Sequence, residues 1–131
     1  MITINKRNYQ NPLIKVSFGE YNINYNGKKR KGEAIFLSFK LDNIYIGLET
    51  IYDKNWLKEL NINDKKDISS FISDITYEDE KGWLSLIGGA CKCFVNRIEN
   101  NMFIFSFNCE TEECGDYYTI SVYEKVKIDL E

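Results

Sequence analysis

The stretch CKCFVNRIENNMFIFSFN, residues 91–108, decides the fold. Phe103, Phe105 and Phe107 recur at every second position after Asn100 and Asn101, and an apolar-rich segment precedes those asparagines. A period of two belongs to a strand with one buried face, and paired asparagines tolerate the positive φ of a tight turn. The stretch therefore predicts a β-hairpin. A two-residue turn sets Ile98 opposite Phe103, Asn96 opposite Phe105, Cys93 opposite Asn108 and Cys91 opposite Glu110. Because side chains alternate across a strand, this register expects Cys91 and Cys93 on one face, and Cys109 with the phenylalanines on the other.

The same alternation extends in both directions. Ile14, Val16 and Phe18, then Tyr21, Ile23 and Tyr25, flank Gly19-Glu20 and predict a hairpin turning there. In LSFKLDNIYIGLE, residues 37–49, Leu41, Phe39 and Leu37 oppose Ile44, Ile46 and Leu48 across Asp42-Asn43. WLSLI (83–87) and YYTISV (117–122) read as further strands, the latter reached through an acidic loop. The middle reads as helical: Asp53 caps a short helix bearing Trp56, Leu57 and Leu60. Asn63 or Asp64 caps a second, with Ile68, Phe71, Ile72 and Ile75 at i, i+3, i+4 and i+7. The expected class is α+β, a mainly antiparallel sheet of about eight strands in the order ββββααββββ with one or two helices on one face. Residues 1–131 carry no linker, repeat or low-complexity tract and are read as one domain.

Composition agrees with strands: aromatics make up 15% of the chain and alanine is nearly absent. The start, MITINKRNYQNPL, lacks the apolar core of a signal peptide, and no run approaches the ~18 apolar residues of a membrane span. A cytoplasmic chain with reduced thiols is expected. The spacing C-x-C, fifteen residues, C-x4-C approaches a four-cysteine zinc pattern, but the hairpin register sets the sulfurs on opposite faces. Buried thiols are the expected state, with a Cys109–Cys114 redox pair and a zinc site as the alternatives; no metal and no cofactor are assigned.

There is no histidine, which removes Ser-His-Asp and Cys-His catalysis and histidine metal sites. No phosphate-cradling glycine motif and no calcium loop occurs, so the chain is read as non-enzymatic. Charge is lopsided within a net −3: residues 1–31 hold seven basic side chains against Glu20 alone. Their densest run, Lys28-Lys29-Arg30-Lys31, suits phosphate contacts, but the acidic remainder disfavours nucleic acid as a partner.

Two acidic segments run into aromatics. Asp74, Glu78, Asp79 and Glu80 lead to Trp83; Glu110, Glu112, Glu113 and Asp116 lead to Tyr117 and Tyr118. Carboxylates speed encounter with a basic protein and rings anchor it, so these residues are the expected partner-binding set. In size, acidity and lack of histidine the profile looks like the small cytosolic immunity proteins of bacterial toxin systems. This is a likeness of class, carried by no motif, and it implies a basic toxin domain, such as a nuclease, as the partner. The competing readings are a nucleic-acid-binding domain using residues 28–31 and a small-molecule binder within the sheet.

Overall fold

The computed structural model describes all residues except 26, 52, 53, 87–89, 114 and 131; side chains at 21–25, 28–32 and 113 also lie outside the description. Eleven strands occur among the described residues: β1 (Ile2–Ile4), β2 (Arg7–Tyr9), β3 (Leu13–Tyr25), β4 (Lys28–Leu41), β5 (Ile44–Thr50), β6 (Lys65–Asp67), β7 (Ile72–Asp79), β8 (Gly82–Ser85), β9 (Ala90–Glu99), β10 (Met102–Glu113) and β11 (Asp116–Lys127). One short helix, α1 (Lys54–Lys58), and a single 3₁₀ turn (Ser69–Phe71) complete the elements. The strands form two antiparallel sheets, a six-stranded one in the order β2-β1-β11-β10-β9-β6 and a five-stranded one in the order β3-β4-β5-β7-β8.

The sheets pack face to face as a sandwich. Leu37, Phe39, Ile46, Leu48 and Ile75 of one inner face meet Val95, Phe103, Phe105, Phe107 and Val122 of the other in one continuous core. Ring contacts cross the gap, Phe39 to Phe107 at 6.1 Å and Tyr77 to Tyr118 at 5.6 Å between centroids. Alternation explains the pattern: in β5 the burial of Ile46, Leu48 and Thr50 leaves Tyr45, Gly47 and Glu49 on the outer side.

The expected mainly antiparallel sheet is present, but the order ββββααββββ, the count of about eight strands and the second helix are corrected. Residues 65–79 form β6, the 3₁₀ turn and β7, because Ile75 and Tyr77 find partners in Leu48 and Ile46 of β5. Tertiary pairing of a β-branched segment overrides a helical spacing that the same apolar residues also satisfy. The turn expected at Gly19-Glu20 is likewise absent, since β3 runs through it and pairs with β4 out to Tyr25 opposite Lys28, with Gly27 at φ +77°. Gly19 serves close packing instead: a Cβ there would lie 2.8 Å from Cε2 of Phe36. The β4–β5 hairpin has the expected register, Leu41 with Ile44, Phe39 with Ile46 and Leu37 with Leu48.

The hairpin of residues 91–108 carries a further correction. Glu99 pairs with Met102, but Arg97 pairs with Phe103, so Ile98 is an extra residue in a β-bulge. That one residue shifts the register of β9. Cys91 now stands opposite Cys109 and Cys93 opposite Phe107, and the three thiols share the inner face with the phenylalanines. Nor do residues 110–113 form a loop, for β10 and β11 pair continuously out to Glu113 opposite Asp116.

Candidate functional site

The outer face of the five-stranded sheet gathers three cross-strand rows. Ser17, Phe36, Glu49 and Asp74 form the first; Lys15, Ser38, Gly47, Thr76 and Ser85 the second; Leu13, Lys40, Tyr45, Glu78 and Trp83 the third. Rows lie about 7 Å apart along the strands and neighbours within a row about 5 Å apart across them. Three rings and three carboxylates thus share one surface. Trp83 is 71% and Tyr45 38% exposed, while Phe36 is half-buried.

Two of the rings lean over glycines, which leave room for them. A Cβ at Gly47 would approach Cε1 and Oη of Tyr45 to 3.1 Å, and Gly19 admits the Phe36 ring in the same way. A cation over the face of an exposed aromatic ring gains about 0.5–1 kcal/mol. Of the carboxylates beside the rings, Asp74 is positioned by two hydroxyls. Ser85 Oγ donates to Asp74 Oδ1 at 2.6 Å and Thr76 Oγ1 donates to Asp74 Oδ2 at 3.2 Å. A bulge next to Glu49 brings Ser73 Oγ within 3.1 Å of the Glu49 carbonyl, which fixes the backbone between Glu49 and Asp74. Lys15 and Lys40 lie on the β3–β4 side, so the face is cationic towards that edge and anionic over β5 and β7.

The expected partner-binding residues are divided among three places. Asp74, Glu78 and Trp83 belong to this face. Asp79 and Glu80 sit at the β7–β8 turn, beside a cleft of about 540 Å³ at the end of the sandwich lined by Arg7, Tyr9, Asn43, Tyr77 and Lys81. There Tyr77 donates to Asp79 at 2.9 Å, Lys81 N donates to Asp79 at 2.8 Å, and Asn43 donates to Glu80. Burial, reinforced by the Asp79 carboxylate, pushes the Tyr77 hydroxyl well above its ordinary value.

Glu110, Glu112 and Tyr117 lie on the opposite outer face, that of the six-stranded sheet, with Asp116 at the hairpin end. The Tyr117 hydroxyl donates to Glu110 at 2.9 Å, and this bond raises its pKa. Tyr118 is not a surface anchor, being 9% exposed with its ring against Tyr77 in the core. The side chains of Glu113 and of the basic run 28–31, and the whole of Cys114, lie outside the description. The two acidic segments are therefore back to back, and one ligand face cannot include both. Tyr45, Glu49 and Phe36, which complete the first face, were absent from the sequence-derived set. The outward direction of Tyr45 and Glu49 follows from the alternation of residues 37–49, and that of Phe36 from its place next to inward Leu37; the adjacency of β7 does not.

Cys91, Cys93 and Cys109 are free thiols. Burial pushes the Cys93 thiol up to about 12 and those of Cys91 and Cys109 above their ordinary value, and Cys91 Sγ donates to the Leu86 carbonyl at 3.2 Å. Thiols so held behave as apolar residues rather than nucleophiles. Among the described residues no three His, Cys, Asp or Glu side chains are arranged to hold a metal, and no helix is long and apolar enough to cross a membrane. No family model, no curated protein and no solved structure matches this chain.

Proposed function

We propose that this chain is a non-enzymatic protein-binding module that captures a basic partner on the outer face of its five-stranded sheet. The observation that carries the reading is the interleaving of Phe36, Tyr45 and Trp83 with Glu49, Asp74 and Glu78 on one face of the sheet. Guanidinium and ammonium groups pair with carboxylates and stack on open π-faces, so lysine and arginine side chains fit this surface better than acidic or neutral ones. The face of the six-stranded sheet is less suited, because Lys65, Lys92, Lys125 and Lys127 share it with Glu110 and Glu112. The narrower form of the proposal is an immunity-type inhibitor that neutralises a bacterial toxin, for which a basic nuclease is the fitting partner.

The test is affinity capture from the source lysate at low and high salt, run in parallel with wild type, Trp83→Ala and Glu49→Lys/Glu78→Lys, all checked for native circular dichroism. A basic polypeptide held by wild type, weakened by salt and lost from both variants supports the proposal. An anchor of this exposure and size is expected to cost about 2 kcal/mol on truncation, roughly 30-fold in affinity. Undiminished retention by the variants would sink this surface. Recovery of nucleic acid in place of protein would favour the basic run 28–31.

A further inference from the structure

Four strands form the sheet edges among the described residues, and they are not alike. β2 and β6 are three residues long and β8 is four, whereas β3 is thirteen. Short edges are one of the ways in which sheets avoid pairing with other chains; β3 is an unshortened row of backbone donors and acceptors. It also carries two exposed apolar side chains, Leu13 at 57% and Phe18 at 43%, the latter with Lys54 Nζ 4.3 Å from its ring centre. We infer that β3 pairs antiparallel with β3 of a second copy, joining the two five-stranded sheets across a two-fold axis.

Sequence restricts the register. In an antiparallel pair, opposed residues share a face, so the two-fold passes through one residue of β3 and each position meets its mirror image. An axis at Lys15 opposes two ammonium groups, and axes at Ser17 or Phe18 set Glu20 against Ile14 or Val16 of the second copy. An axis at Val16 has neither fault. It sets Val16 against Val16, Ile14 against Phe18, Lys15 against Ser17 and Leu13 against Gly19. Ile14 and Val16 already pack against the core, so their mirror pairs extend the inner face and cover Phe18 with a β-branched neighbour. Both exposed apolar residues of the edge acquire partners, and every opposed position lies within residues 13–19.

Sedimentation velocity between about 1 and 500 μM, the range in which a modest interface dissociates, is the first measurement. The expected result is a reversible dimer of the 15.4 kDa chain. Phe18→Lys places an inward charge on the edge twice per dimer and is expected to raise the dissociation constant at least about tenfold, with the thermal melt unchanged. Val16→Cys, mildly oxidised with glutathione disulfide, gives a disulfide that peptide mapping assigns to residue 16 of both chains, while Lys40→Cys, on the next strand, gives none. A monomer throughout the range overturns the inference. So does a dimer that survives Phe18→Lys and does not cross-link through residue 16, because its interface lies elsewhere.

Discussion

Cys93 is 1% exposed, opposite Phe107 in the β9–β10 ladder, and its thiol is pushed from an ordinary 9.0 up to about 12 by burial. A raised folded-state pKa stabilises the fold fully below the unfolded value and loses that contribution as pH rises through the folded one. Tyr77 and Cys109 shift in the same direction. Between neutral pH and about pH 9 the urea midpoint is therefore expected to be flat, then to fall steadily towards about pH 12, and to fall less in Cys93→Ala than in wild type. An equal slope in the variant would place the alkaline sensitivity elsewhere. At this scale the sequence was half legible. Residue type foretold buried thiols, and Cys109 lies with the phenylalanines as the alternation requires. Cys91 and Cys93 face inward only because of the bulge, and nothing marks Ile98 as the extra residue: it is as apolar as its neighbours and both registers bury phenylalanine.

At the scale of elements, the bulge acts with its neighbour Arg97. Its guanidinium donates to the carbonyls of Lys58 at 3.0 Å, Leu60 at 2.8 Å and Asn100 at 2.8 Å, tying the end of α1 and the segment after it to the β9–β10 turn. Removing it leaves those acceptors without their charged donor, so Arg97→Ala is expected to lose about 2 kcal/mol or more, read as a lower urea midpoint at unchanged slope. Arg97→Lys recovers only part of the loss, since an ammonium cannot reproduce the planar fork. A midpoint unmoved in Arg97→Ala would show the three bonds to be replaceable by water. The alternating cores of β4, β5, β10 and β11, at residues 37–41, 44–48, 102–107 and 117–122, were legible from their residues, but the extensions of β4 back to Lys28 and of β10 out to Glu113 were not. Residues 68–75 were not, because Ile68, Phe71, Ile72 and Ile75 satisfy a helical stripe, and the choice falls to a partner strand, β5, that lies far back in the sequence.

Across the whole molecule, the pairings that close the sandwich are long-range: Ile2 lies against Val122 and Ile4 against Ile120, while β6 joins β9. Loop-closure entropy must be overcome before such contacts contribute, so refolding followed by tryptophan fluorescence is expected on the millisecond-to-second scale of sandwiches. A microsecond phase of full amplitude would contradict it. This is also where sequence reading ends: alternation tells which face of a strand is buried but not which strand lies beside it. Neither the strand order nor the meeting of Tyr45, Glu78 and Trp83 could be drawn from the pattern alone. The bulge bears as well on how this chain can change in length. Excising Ile98 would leave Glu99 against Met102 and Arg97 against Phe103 in unbroken pairing, with every inward side chain of β9 still inward. Excising any residue from 94 to 96 would instead turn Cys91 and Cys93 out to solvent. Descendants of this sequence that are one residue shorter in β9 should thus have lost it at a single address.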